Sequence, residues 1–145
     1  MIFKEEFNYY KNTNEIFDLI KNEEWPVFLF SNNNIFSEQR YDIISANPTK
    51  KVITYQNATI VEDLKSKQVF RDDPISILKD VMKDDLSDDD SELPFSGGAI
   101  GYFSYDLGNK NESIKQKTNN DLDIPIMAFG IYEWAVIIDH HEKKN

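Results

Sequence analysis

The sequence predicts an α+β fold, antiparallel β-sheets with two main flanking helices, and three observations predict it. Only two stretches carry helical periodicity, "NTNEIFDLIKNEEW" and "DDPISILKDVMKDD". Around them lie many short apolar or alternating runs bounded by Asn, Asp, Pro and Gly, the pattern of strands and turns. Strands follow one another without a regular helical crossover, which favours antiparallel pairing.

In the first helical stretch Ile16, Phe17, Leu19 and Ile20 form a broad stripe, with Thr13 or Asn14 available as N-cap before an acidic first turn. A helix is expected over about residues 14–23, ended by Pro26. "VFLF" then reads as a short buried strand, "SNNNIFSEQ" as a polar turn-prone connection, and "RYDIISANP" as a second strand that stops before Pro48. "KVITYQNATIVEDL" alternates about Gln56 and Asn57 and predicts a hairpin, with a further strand near Gln68 to Phe70. The second helix starts with Asp73 as N-cap and Pro74 at its first position, and puts Ile77, Leu78, Val81 and Met82 on one face. An acidic connector, "DDLSDDDSE", follows it, and a polar loop is expected over about residues 109–123. The closing run "IPIMAFGIYEWAVIID" reads as a central strand.

Composition narrows function by exclusion. At 145 residues, 40% hydrophobic and 13% aromatic, the chain can build one domain-sized core. Its 26 acidic against 16 basic residues, a net charge of -10, leave few cations for a patch that would hold nucleic acid or an anionic membrane. No apolar run approaches the span of a membrane helix, and "MIFKEEFNYYKN" lacks the apolar stretch of a signal peptide, so the expectation is a cytoplasmic protein. The absence of cysteine removes disulfides, thiolate metal sites and cysteine nucleophiles.

Four of the five glycines fall within "PFSGGAIGYFSYDLG". A phosphate-binding loop needs a lysine followed by Ser or Thr, but Gly101 is followed by Tyr102 and Phe103. The dinucleotide fingerprint fails as well, because the residues after Gly101 alternate like a strand and open no helix. The glycines therefore read as backbone devices that let a strand start in a tight turn and pass close to another element. With Phe103 and Tyr105 on one face and Tyr102 on the other, that strand is expected to lie between two layers.

The acidic connector lacks the glycine and the spacing of a calcium loop. His140 and His141 would point to opposite faces of a strand, so one ion could not readily take both. No serine sits in a nucleophile elbow. One ligand constellation stands on chemistry alone. Ser31 ends an apolar strand, and Arg40 and Tyr41 begin the next, so a hydroxyl, a guanidinium and an aromatic face can converge at one end of a sheet. The competing expectation is an Arg40–Asp42 pair on one strand face.

The segments "LPFSGGAIGYFSYDLGNKNES" and "IPIMAFGIYEWAVIIDHH", preceded in order by "RYDIISANP" and "DDPISILKDVM", resemble the N-terminal region of the chorismate-utilising component I family. The characteristic pattern is GG-x-x-G with Y-D-L, then P-x-M-x-x-G-x-Y-x-W and a D-H pair. Phe30, where the anthranilate branch usually has glutamate, and Asp42, where that branch commonly has serine, align the chain with the aminodeoxychorismate branch. The anthranilate branch and an autonomous tryptophan-binding module remain the alternatives.

The resemblance implies that residues 1–145 are one N-terminal domain and that catalysis lies in a C-terminal domain outside them, so no catalytic residue is expected here. No cofactor is expected in these residues, and Mg²⁺ is expected with the catalytic domain. The implied partners are that domain, a glutamine amidotransferase component II and a tryptophan-like effector held by Ser31, Glu38, Gln39, Arg40 and Tyr41. An apolar strand edge near Ala135 to Ile138 is expected to promote self-association.

Overall fold

The computed structural model describes residues 3–31, 40–56, 58–83, 93–105, 107–108 and 123–143. Glu38, Gln39, the acidic connector and nearly all of the 109–123 loop lie outside the described residues. In chain order the elements are α1 (Thr13–Ile20), β1 (Val27–Leu29), β2 (Tyr41–Ser45), β3 (Lys50–Tyr55), β4 (Ala58–Asp63), β5 (Lys67–Phe70), α2 (Pro74–Lys83), β6 (Gly98–Phe103), β7 (Met127–Tyr132) and β8 (Val136–Asp139). They form a three-stranded sheet, β1-β2-β8, and a five-stranded sheet, β5-β4-β3-β7-β6. The α+β class with two helices and antiparallel sheets is what the sequence predicts.

The chain divides into two compact units. The first contains Met1–Pro48, Leu86–Gly98 and Tyr132–Asn145, and the second Thr49–Asp85 and Ala99–Ile131.

The second unit is built around apolar packing. The β3–β4 hairpin pairs Tyr55 with Ala58, so the turn falls where Gln56 and Asn57 predict it. Asp73 caps α2: its Oδ2 accepts from the Ser76 amide at 2.8 Å and from the Ser76 hydroxyl at 2.9 Å. That cap starts a helix whose Ile77 and Leu78 pack with Val52, Met127, Phe129 and Ile131, while Val81 and Met82 lean on the same cluster. The Thr54 and Thr59 hydroxyls, both buried at paired positions of β3 and β4, bond to each other at 2.9 Å and so satisfy one another.

Two expectations about strands need correction. The run "IPIMAFGIYEWAVIID" is two strands, because the turn after Tyr132 sends β7 into the five-stranded sheet and β8 into the three-stranded one. β7 is central and wholly buried, but β6 is an edge strand, and Tyr102 and Phe103 are 43% and 51% exposed. Among the described residues the glycine-rich strand is therefore not covered on both faces. The close approach expected of the glycines is present at Gly101, where a Cβ would fall 2.6 Å from Phe129 Cα and closer still to the Ala128 carbonyl oxygen. Gly97, at φ +116°, makes the turn that precedes this strand.

In the first unit α1 ends at Ile20, short of the expected boundary. It lays Phe17 against Phe28 of β1 with ring centroids 5.2 Å apart, and Phe30 continues the aromatic row 5.4 Å from Phe28. β2 is the central strand of the sheet, pairing Ile44 with Phe28 on one side and with Val136 on the other.

Candidate functional site

The candidate site lies in the first unit, where β2 presents successive residues to opposite sides of its sheet. Asp42 is fully buried. Its Oδ1 accepts from both the backbone amide and the hydroxyl of Ser31, each at 2.8 Å. The Thr13 hydroxyl on α1 also donates to this carboxylate. Its Oδ2 lies 2.9 Å from His140 Nε2, although the two atoms are not aligned for a hydrogen bond. On its far side His140 Nδ1 meets the Tyr9 hydroxyl at 3.0 Å. Burial works against the charge on Asp42, but the two bonds from Ser31, with the His140 and Thr13 side chains close by, outweigh it and hold the carboxyl below its ordinary range.

A second cluster surrounds Arg40. Its Nε and Nη2 both donate to Asp139 Oδ2, at 2.9 and 2.6 Å, and Nη2 also reaches Glu142 Oε1 at 3.0 Å. The guanidinium stands over the Tyr41 ring, 4.7 Å from its centroid. Asp139 Oδ1 meanwhile accepts the amides of His141 and Glu142 and so closes the turn after β8. Hydrogen bonding from Arg40, more than the opposing burial, lowers the Asp139 carboxyl to about 2. Beside this cluster lies a cleft of about 250 Å³, lined by residues 3–7, Arg40, Tyr41, Ala135 and Ile137 among others.

The structure thus places three of the sequence-predicted site residues, Ser31, Arg40 and Tyr41, and assigns each a partner within its own chain. Arg40 and Tyr41 do come together. The alternative Arg40–Asp42 pair does not form: Arg40 is taken by Asp139 and Glu142, and Asp42 by Ser31 and its neighbours. Sequence reasoning did not find the roles of Tyr9, Thr13, Asp139 and His140. A signal was present for the last two, since Asp139–His140 is the D-H pair of the family pattern. Among the described residues no three His, Asp or Glu side chains gather to hold a metal ion, and no helix is long and apolar enough to cross a membrane.

No family model matches the chain. It is 35% identical over 126 residues to aminodeoxychorismate synthase component 1 of Escherichia coli (strain K12), which covers 86% of this chain and 28% of that protein. Against anthranilate synthase component 1 of Acetivibrio thermocellus the identity is 33% over 107 residues, 72% of this chain and 22% of the relative. Among solved structures, anthranilate synthase component I from Streptococcus pneumoniae TIGR4 superposes with a TM-score of 0.64 at 26% identity, covering 97% of this chain and 30% of that one. The chain therefore spans less than a third of the length of these relatives. Sequence and fold together make it homologous to the N-terminal region of the chorismate-utilising component I proteins.

Proposed function

We propose that the chain is the N-terminal scaffold of an aminodeoxychorismate synthase component I. In this reading the parent enzyme, in the cytoplasm, converts chorismate and glutamine-derived ammonia to 4-amino-4-deoxychorismate for para-aminobenzoate and folate. The ammonia comes from a glutamine amidotransferase component II. Catalysis is assigned to a C-terminal domain, and with it the Mg²⁺ that the family resemblance implies.

The observation that carries the scaffold role is that the polar groups at the end of the β2 sheet are already engaged by the chain itself. Ser31 serves Asp42, and Arg40 is neutralised by Asp139 and Glu142. An incoming amino acid would meet a guanidinium whose charge two carboxylates already offset and whose Nε–Nη2 edge is occupied, so a bidentate pair on that edge would have to displace Asp139 and would regain only a similar ion pair. These groups act as joints between α1, β1, β2 and the turn after β8. Phe30 and Asp42, the two positions that favour the aminodeoxychorismate branch, lie at this joint.

Reconstitution tests the proposal. The chain, a component I catalytic domain from the aminodeoxychorismate branch and component II are mixed with chorismate and glutamine, and both possible products are assayed. Amination to 4-amino-4-deoxychorismate that requires the chain, with no turnover by the chain alone, is expected. Turnover that ignores the chain would remove the scaffold role. Rescue of an anthranilate-branch catalytic domain only would move the chain to the other branch.

A further inference from the structure

His140 faces two ways. Its side chain is 8% exposed, with Nε2 2.9 Å from Asp42 Oδ2 and Nδ1 3.0 Å from the Tyr9 hydroxyl. The Tyr9 ring meets the imidazole edge-on, at 85° with centroids 6.0 Å apart. The backbone fixes the ring from behind, because the His140 amide donates to the Arg40 carbonyl. Asp139, the preceding residue, holds the Arg40 guanidinium. Two successive residues thus hold the N-terminal arm and the cation of the cleft.

Asp42 decides which imidazole nitrogen carries a proton. Asp42 Oδ2 and His140 Nε2 are both buried, and neither has an aligned hydrogen-bond partner. A lone pair on Nε2 would face an ionised carboxylate at 2.9 Å, whereas an N–H there is attracted to it even when it is not aligned. Nε2 is therefore the protonated nitrogen. Ser31 donates twice to the other carboxylate oxygen, so Asp42 cannot turn away from the ring without giving up those bonds. Nδ1 is left aimed at Tyr9.

We propose that residues 3–9 form a strap over the Arg40 cleft, latched through Tyr9 to a His140 imidazole that Asp42 positions. Phe3, Lys4, Glu6 and Phe7 supply one wall of that cleft, and Arg40 and Asp139 belong to the other. Tyr9 is half-buried while residues 3–8 and 10–12 are exposed, which makes it a point of attachment for the arm. It stands two residues from Phe7, so freeing Tyr9 frees the wall itself. The buried carboxylate and the cleft are in this way linked through one imidazole, and Asp42 acts on the strap as a positioning residue.

Modification of the whole chain by phenylglyoxal tests the strap, with mass spectrometry reading Arg40 against Arg71, the chain's other arginine and an exposed control in the second unit. Tyr9→Phe keeps the ring and removes the hydroxyl. His140→Gln keeps an N–H toward Asp42 and removes Nδ1. Each is expected to raise the Arg40/Arg71 ratio about fivefold, the factor that one lost hydrogen bond carries, and the double variant to go no further than either single one. Ring ¹⁵N shifts read the positioning. Nε2 is expected to be protonated in the unaltered chain and bare in Asp42→Asn, where Ser31 keeps the amide oxygen and the amide nitrogen turns a donor toward the ring. An Arg40 ratio unchanged in both variants overturns the strap. A ratio that climbs steeply with mild urea overturns it too, because Arg40 would then be reached by unfolding and not by local opening. Nε2 without a proton in the unaltered chain removes the role of Asp42.

Discussion

The two units of this chain hold themselves together by different means. In the second, the residues that matter are apolar: α2 sets Ile77 and Leu78 into a cluster with Val52, Met127, Phe129 and Ile131, and strand pairing supplies the rest. In the first, the buried centre includes an aspartate that ties together α1, the end of β1, β2 and the turn after β8. Apolar burial is nondirectional and tolerant of condition. A buried carboxylate is stable only with its donors in place and its charge kept, so the first unit is specific in geometry and exposed to pH.

The largest effect is expected in the second unit. Gly101→Ala drives a Cβ into the Ala128 carbonyl and the Phe129 backbone, neither of which can rotate away. We expect a loss of about 3 kcal/mol or more in urea unfolding, or no soluble protein. Asp42→Ala should follow, at about 3 kcal/mol, because it strands the Ser31 amide and hydroxyl and the Thr13 hydroxyl in a dry site. Asp42→Asn, which keeps an acceptor, should cost less, and equal losses would show that charge is irrelevant there.

pH acts on the first unit from both ends of the scale. The Asp139 carboxyl lies at about 2 in the folded chain against an ordinary 3.8, and Asp42 is lowered as well. The contribution of Asp139 is present above its ordinary 3.8 and disappears as pH falls toward 2, on the order of 1–2 kcal/mol, and that of Asp42 is lost in the same direction. At the other end burial raises the Tyr132 phenol to about 12, while its hydroxyl donates to the Trp25 carbonyl at 3.0 Å. Folding is then opposed as pH climbs from the ordinary 10 toward 12. Asp139→Asn should flatten the acid limb of a stability–pH curve, and an unchanged limb would assign it elsewhere. The smallest effect is Tyr9→Phe, which removes only the hydroxyl that meets His140, about 1 kcal/mol or less.

The same contrast governs what could be read from the sequence. The second unit was largely legible, since Asp73-Pro74 and the Ile77/Leu78 face announce α2, and Gln56-Asn57 announces the hairpin. Those signals are local. β7 and β8 merged in the sequence because two apolar strands in succession look like one, and only pairing partners, which are remote, separate them. Tyr102 and Phe103 misled for a related reason: aromatic bulk on both faces suggests a sandwiched strand, but both rings are exposed.

In the first unit the residue types were found and their partners were not. Ser31, Arg40 and Tyr41 stood out as groups able to bind a ligand. Nothing local indicated that Asp139 and Glu142, about a hundred residues on, neutralise Arg40. Glu38 and Gln39 lie outside the described residues.

Whether Ser31 and Arg40 are joints or receptors is settled most directly by calorimetric titration of the chain with tryptophan. With Ser31 bound to Asp42 and Arg40 to Asp139 and Glu142, the expected result is no saturable heat at millimolar ligand. Saturable heat that disappears in Ser31→Ala and Arg40→Gln would contradict the scaffold and make the site a receptor.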